Sequence, residues 1–94
     1  MRKIDWSNAI KRDFRRAKAT PRHAQDVEQL LGIVLALLAE DKPLPDHYRD
    51  HALAGNRKGC RECHLKPDLL LIYRKIEPGM LQISRLGSHS ELFR

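Results

Sequence analysis

Five consecutive apolar residues, Leu69 to Tyr73, constrain the fold of this chain more than any other feature of its sequence. A strand that is apolar on both faces is typical of the centre of a sheet, so we predict a central strand over Leu69–Ile76. Another strand, over Lys58–Leu65, precedes it across a tight turn at Lys66-Pro67. Beyond a Pro-Gly turn, three alternating side chains predict a last strand: Leu81, Ile83 and Arg85.

The first half of the chain follows a helical period instead. We predict a short strand at Lys3–Trp6 and then a helix that Ser7 caps and that runs to Ala19. Thr20-Pro21 has the pattern of an N-cap followed by a first-turn proline, and it begins a second helix. The apolar face of that helix recurs at three- and four-residue steps: Val27, Leu30, Leu31, Val34, Leu35 and Leu38.

These elements predict a single α+β domain over residues 1–94. The two helices are expected to cover one face of an antiparallel sheet, because neither half of the chain could bury its apolar residues alone. The other face of the sheet is expected to stay open. An open and basic sheet face suits a polymeric ligand.

The charge balance favours a polyanionic partner. Eighteen Lys and Arg against twelve Asp and Glu give a net charge of +6 and a pI near 9.8. Such a charge attracts nucleic acid, although dispersed charge is equally typical of an ordinary solvated surface. The longest uncharged apolar run, Leu30–Ala39, is roughly half of what a bilayer crossing requires. No secretory signal follows Met1, so we expect a cytoplasmic protein with no membrane partner.

The stretch Cys60-Arg61-Glu62-Cys63-His64 matches the C-x-x-C-H pattern of covalent haem attachment, for which Met80 could provide a second axial ligand. Haem attachment requires export, and strand alternation would send the two thiols to opposite faces. The same alternation argues against a zinc site that adds His51 or His89. We therefore expect no haem, no zinc and no other cofactor, and two reduced, partly buried thiols.

Three histidines and one aspartate fall at the ends of predicted elements, where side chains can converge. His51 begins the segment that leads into the sheet, and His64 and Asp68 face each other across the Lys66-Pro67 turn. His89 follows the last strand. A single histidine in such a position is more often a surface or capping residue than a catalytic one, so their convergence is what would make a site.

The segment after the last strand predicts a helical turn that begins at His89. Ser88 and Glu91 fit a capping box, and the free N–H groups at the start of a helix attract phosphate. Phe93, four residues after His89, shares its face and can stack on a base.

Imidazoles beside a phosphate predict RNA cleavage without a metal. One group takes the proton from a ribose 2′-OH, which attacks the adjacent phosphorus, and another protonates the departing 5′-oxygen. Histidine suits both roles because its ordinary pKa of about 6.5 is close to the working pH. Cations that bind RNA or stabilise the extra charge on the phosphate are expected at Lys58, Arg61 and Arg85.

Four stretches of the chain closely resemble the YafQ branch of the RelE/ParE superfamily, the toxins of bacterial type II toxin–antitoxin pairs: Tyr48–Leu53, Lys58–Asp68, Leu71–Tyr73 and Arg85–Phe93. The resemblance covers residues 44–93, whereas the N-terminal helices agree only in order and length. It implies a small RelE-like fold and a ribonuclease that cuts messenger RNA in the ribosomal A site, which inhibits translation. It also implies a cognate antitoxin that wraps the toxin.

Carried over by position, the resemblance implies that His51, His64, Asp68, His89 and Phe93 are the active-site residues. His89 is the expected proton donor to the leaving oxygen, and the general base stays open between His51 and Asp68. His64 is expected to position the substrate or to stabilise charge.

Two positions depart from the family pattern. Leu69 replaces the tryptophan that follows the aspartate in the family, so codon or base preference does not follow from the resemblance. Cys60 replaces a residue that is often aromatic in related toxins. The alternative function is a non-catalytic binding module of the same fold. ParE-type relatives act on DNA gyrase and lack this histidine set, which favours the ribonuclease.

Overall fold

The strands predicted from the apolar run form the centre of a five-stranded sheet in the computed structural model, which describes residues 1–93. In chain order the strands are β1 Lys3–Trp6, β2 His51–Ala52, β3 Arg61–Lys66, β4 Leu69–Ile76 and β5 Met80–Gly87. In space their order is β1-β5-β4-β3-β2. Strands β2 to β5 are antiparallel, but β1 lies parallel to β5. The α+β class is confirmed, with a mixed sheet in place of the wholly antiparallel one expected.

Four helices accompany the sheet within the described residues: α1 Asn8–Ala19, α2 Pro21–Ala24, α3 Val27–Ala39 and α4 His89–Leu92. Ser7 caps α1 as predicted, with its hydroxyl accepting the N–H of Ile10 at 3.1 Å. The predicted second helix is divided into α2 and α3, because Asp26 adopts a left-handed conformation with φ of 64°. None of the helices described is long and apolar enough to cross a membrane.

The face of the sheet that carries α1 and α3 holds the larger core, and we call it the helix face. Its fully buried side chains come from both helices and from the central strands: Ile10, Val34, Leu38, Leu69, Leu71, Leu81 and Leu86. Each such side chain contributes roughly 1.5–3 kcal/mol relative to an exposed one. Leu69, which replaces the family tryptophan, therefore belongs to this core and has no access to a ligand.

The opposite face, which we call the outer face, is partly covered. Leu70 and Ile72 of β4 form a second cluster there with Leu92 of α4, and Leu53, Cys60 and Phe93 pack against it. The expectation of an open face was therefore wrong where α4 lies on it. A side chain at Gly87 would meet Glu91 Oε1 at 2.9 Å, so glycine allows α4 to approach the sheet this closely.

The part of β5 beyond Ile83 extends past the end of β1, which leaves one edge without a strand partner in the described chain. Side chains of α1 take that place. Asp13 accepts the backbone N–H of Leu86 at 3.0 Å and Nε of Arg85 at 2.7 Å. Burial by itself raises the pKa of Asp13, but the Arg85 hydrogen bond, the Leu86 N–H and the charges of Arg85 and Arg16 together lower it below its ordinary value.

Candidate active site

Two histidines meet at a buried carboxylate that the sequence analysis did not single out. His51 on β2 lies opposite Glu62 on β3, and His64 follows Glu62 by two residues, so strand alternation sends all three side chains to the outer face. Glu62 Oε1 is 3.5 Å from Nε2 of His51 and 3.4 Å from Nε2 of His64. The side chain of Glu62 is only 8% exposed. A buried carboxylate can stabilise a positive charge on either ring.

Backbone carbonyls fix the tautomers of these two rings. Nδ1 of His51 lies 2.7 Å from the carbonyl of Arg49, and Nδ1 of His64 lies 3.3 Å from the carbonyl of Pro67. A carbonyl oxygen only accepts hydrogen bonds, so each Nδ1 carries the proton and donates. Each Nε2, which faces Glu62, is then the nitrogen that takes up or releases a proton.

The second group consists of Asp68 and His89. Oδ1 of Asp68 accepts the backbone N–H of His89 at 3.2 Å. The predicted capping box is present, because the Ser88 hydroxyl accepts the N–H of Glu91 and Glu91 accepts the N–H of Ser88. The start of α4 is therefore occupied by side chains of the protein. Asp68 holds the N–H of His89, and phosphate binding at the start of α4 stays a prediction.

Aromatic contacts continue from His89 along α4. The rings of His89 and Phe93 have centroids 5.1 Å apart, as their four-residue spacing predicts. The guanidinium of Arg57 lies on Phe93 with 5.7 Å between its carbon and the ring centroid. The imidazole, the phenyl ring and the guanidinium thus form one continuous surface.

The two groups lie on the same face on either side of Leu70. Leu70 pairs with His64 on β3 and with Gly87 on β5, two residues before His89. Neighbouring strands are about 4.8 Å apart, so the backbones that carry the two groups are separated by roughly 10 Å. Such a gap gives room for one phosphodiester between imidazoles.

Arg61, the first of the three predicted cations, is on the face of the sheet opposite to the Glu62 histidines. Arg61 lies on the helix face, because it is three residues from His64 in the same strand, and it pairs with Asp50 at 3.2 Å. That hydrogen bond raises the pKa of Arg61, while burial raises the pKa of Tyr73, whose hydroxyl also donates to Asp50.

The other two predicted cations are Arg85 on β5 and Lys58 just before β3. Arg85 is held by buried Asp13 at the edge of β5, as Arg61 is held by Asp50, and the expected role of both arginines at a phosphate stays a prediction. Lys58 is exposed just after the short 3₁₀ turn Gly55–Arg57 and before β3 begins. The predicted strand begins later than expected because Gly59 has a φ of 94°.

The two cysteines are separated by the sheet. Cys63 is fully buried in the helix-face core, whereas Cys60 packs against the outer-face cluster. Burial, followed by the charges of Asp50 and Glu62, raises the pKa of Cys63 to about 12, which keeps it a neutral thiol. Across residues 1–93, no three His, Cys, Asp or Glu side chains are arranged to hold a metal ion.

Three residues near the site were missed from the sequence: Arg22, Arg57 and Glu62. The two-residue spacing of Glu62 and His64 was a sufficient signal for Glu62, because both side chains of such a pair share one face of a strand. Arg57 lies in a short 3₁₀ turn, and Arg22 reaches Asp68 at 3.9 Å from α2. Neither of those positions carries a periodic signal.

Known proteins resemble this chain over nearly its whole length. A sequence model of the bacterial toxin of the type II toxin–antitoxin system, YafQ, matches residues 2–94. The mRNA interferase toxin YafQ of Escherichia coli K12 is 37% identical over 92 residues, which cover 98% of this chain and 96% of that protein. The YafQ chain of the E. coli DinJ–YafQ complex matches the structure with a TM-score of 0.85, 34% identity and full coverage of both chains.

A further solved structure, the metal-bound toxin from Helicobacter pylori, has a TM-score of 0.84 and 44% identity, and the match covers 99% of this chain and all of that one. The sheet order, the helices on one face and the histidines on the other define a small α+β toxin of the RelE-like class. Within that class, the chain belongs to the YafQ family of bacterial type II toxins.

Proposed function

We propose that this protein is the toxin of a type II pair and an endoribonuclease that cleaves messenger RNA on the ribosome, which inhibits translation. The observation that carries the proposal is the placement of the Glu62 histidines and of His89 on opposite sides of Leu70 on one face. The YafQ relative from E. coli is an mRNA interferase, which supports the same activity here.

His51 is the proposed general base. The attacking 2′-oxygen and the leaving 5′-oxygen lie on opposite sides of phosphorus in an in-line displacement, so base and acid must also lie on opposite sides. Asp68 is bonded to the backbone of His89 and therefore lies on the acid side. His51, held by Arg49 and Glu62, lies on the other.

The reaction then proceeds through side chains alone. Nε2 of His51 takes the proton from the 2′-OH as that oxygen bonds to phosphorus, and Glu62 stabilises the imidazolium that forms. The bond from phosphorus to the 5′-oxygen breaks, and protonated His89 gives its proton to that oxygen. His64 shares Glu62 and supplies positive charge near the phosphate. Cleavage is therefore expected to survive treatment of the purified toxin with a zinc and copper chelator.

The partners follow from the same proposal. The net charge of +6 favours binding to the ribosome and its message. Because ribosomes lie in the cytoplasm, we propose that the protein acts there. The E. coli YafQ toxin is found in a complex with DinJ, and we propose that a cognate antitoxin binds this chain in the same way.

The substitution His89→Gln tests the proposal. We expect message cleavage on programmed ribosomes to fall about 10²–10⁴-fold, because a general acid contributes that much. The melting temperature should change little, since Asp68 bonds the backbone of residue 89 and the ring is exposed, with an aromatic contact to Phe93. Lys11→Gln, on the exposed side of α1, is the control and should keep full activity. Full cleavage activity in His89→Gln with an unchanged melting temperature would contradict the general-acid role.

A further inference from the structure

His51, the proposed base, is carried by a strand that is too short to hold it by itself. Strand β2 has two residues at one edge of the sheet, and it pairs with β3 only through His51 with Glu62 and Ala52 with Arg61. Such short edge segments open more readily than central strands. The side chain of His51 is also half exposed, so packing does little to fix the ring. Another contact must therefore hold this segment in place.

The residue before His51 makes that contact. Strand alternation sends the side chains of Asp50 and His51 to opposite faces of the sheet, so Asp50 lies on the helix face. There its carboxylate accepts two hydrogen bonds from Arg61, from Nε at 3.3 Å and from Nη2 at 3.2 Å. The hydroxyl of Tyr73 donates a third. Paired bonds between a guanidinium and a carboxylate fix their relative orientation, so Asp50 is bound to β3 and β4 at once.

Both donors to Asp50 are themselves fixed in the sheet. Arg61 and Tyr73 are direct cross-strand partners on β3 and β4, and Tyr73 is only 1% exposed. Burial raises the pKa of Tyr73, and the hydrogen bond to Asp50 raises it further. The same carboxylate raises the pKa of Arg61, so both groups keep their protons and remain donors.

The backbone between these anchors and the histidine ring is strained. Arg49 has a left-handed conformation, with φ of 52° and ψ of 42°. A residue with a side chain keeps this conformation only where the surrounding structure fixes the chain. The turn directs the carbonyl of Arg49 at Nδ1 of His51, 2.7 Å away. Tyr48 is buried on one side of the turn and Asp50 binds the sheet on the other, so release of Asp50 would let the carbonyl leave the ring.

We propose that Asp50 is a positioning residue: its bonds to the sheet hold the Arg49 turn, and the turn holds His51 with a proton on Nδ1 and none on Nε2. The proposal rests on the ribonuclease function proposed above, in which Nε2 of His51 takes the proton from the 2′-OH. A neutral ring with its proton on Nε2 cannot act as this base. Loss of the Asp50 bonds should therefore slow cleavage without weakening the binding of the message.

The first test measures kcat and KM on programmed ribosomes for Asp50→Asn and Tyr73→Phe. Asp50→Asn keeps the shape of the side chain but removes its charge and one acceptor oxygen, whereas Tyr73→Phe removes one donor. We expect kcat to fall about tenfold to a hundredfold in Asp50→Asn and less in Tyr73→Phe. KM should stay within about twofold of the wild-type value in both. Asp46→Asn, at an exposed position four residues before Asp50, is the control and should keep both constants.

Nitrogen-15 NMR of the histidine rings separates a failure of the positioning role from a failure of the ribonuclease function. The neutral His51 ring of the wild-type protein should carry its proton on Nδ1, and Asp50→Asn should shift it towards Nε2. Asp13→Ala, which breaks the ion pair with Arg85 instead, should keep the wild-type tautomer even though it is less stable.

A wild-type tautomer or a wild-type kcat in Asp50→Asn would overturn the positioning role. A shifted tautomer in Asp50→Asn, in a protein whose wild-type form cleaves no message, would overturn the ribonuclease and support the hold of Asp50 on His51. Absence of both effects would overturn both proposals.

Discussion

Asp13 is completely buried in α1 and forms an ion pair with Arg85 of β5, with 2.7 Å between Oδ2 and Nε. The same carboxylate accepts the Leu86 N–H and a hydrogen bond from Arg16. The Asp13 side chain thus accepts the hydrogen bond of the sheet edge at Leu86, three residues before the helical turn that carries the proposed acid, so the fold and the site share this contact.

We expect Asp13→Ala to lower the free energy of unfolding by about 3 kcal/mol, because it leaves a buried N–H and two arginines without their acceptor. Arg85 remains 24% exposed and can hydrate, which places the loss at the low end for a buried pair. Urea denaturation measures the change. Asp5→Asn, at an exposed position of β1, is the control and should cost little. A loss below about 1 kcal/mol in Asp13→Ala would contradict a structural role.

The lowered pKa of Asp13 makes stability depend on acid pH. The folded protein binds this proton less readily than the unfolded chain, so the stabilisation is complete above the ordinary carboxyl pKa of about 3.9. It disappears as the pH falls through the lowered pKa of the folded state. Melting temperatures between pH 7 and pH 2 should show this fall, and Asp13→Asn should flatten it. Equal slopes in the two proteins would assign the acid sensitivity to other carboxylates.

Glu62→Gln should reduce cleavage by about tenfold to a hundredfold, less than the loss of a proton-transfer group itself. The amide keeps the shape of Glu62 but not the charge that stabilises a protonated His51. Stability should change little, since an uncharged group costs less to bury. Glu40→Gln, exposed at the end of α3, provides the matched control and should keep full activity. Wild-type cleavage in Glu62→Gln would exclude a role for Glu62 in proton transfer.

Gly87→Ala should displace α4 from the sheet. The added methyl group would meet Glu91 Oε1 at 2.9 Å and Arg16 Nη2 at 3.0 Å, and Glu91 can yield only by leaving its capping box. We expect a loss of roughly 1 kcal/mol in stability and a larger loss in cleavage, because His89 is carried by this turn.

Gly32→Ala is the matched control, because nothing lies within 4 Å of its added methyl group in α3. It should raise stability by about 0.5–1 kcal/mol and leave cleavage unchanged. Wild-type cleavage in Gly87→Ala would show that the position of α4 does not limit the reaction.

Hydrophobic periods were sufficient to predict the helices, the three central strands and the α+β class. They did not predict that β1 joins the sheet parallel to β5, because a short apolar pattern identifies a strand but not its partner or direction. The break between α2 and α3 at Asp26 was also missed, since a left-handed residue leaves the apolar spacing around it unchanged.

The site was predictable where sequence neighbours share a face and was not predictable where distant segments meet. Alternation along β3 implies that Arg61 and His64 point in opposite directions, as it does for the two cysteines. The contact of Arg57 with Phe93 joins residues 36 positions apart through a 3₁₀ turn, and no local pattern specifies it. The contact of Asp13 with Arg85 joins residues 72 positions apart and was unpredictable for the same reason.

The pairing of β1 with β5 sets the order in which the protein can become active. Ser7 donates to the carbonyl of Ser84, 77 residues later, so the sheet is completed only after β5 has been synthesised. His89 follows β5 and depends on it for its place. A nascent chain that ends at β4 therefore has its first histidines but lacks the proposed proton donor, and closing so long a loop delays folding further. If the proposed activity is correct, a ribosome that makes this protein is not exposed to a finished site until translation of the β5 segment is complete.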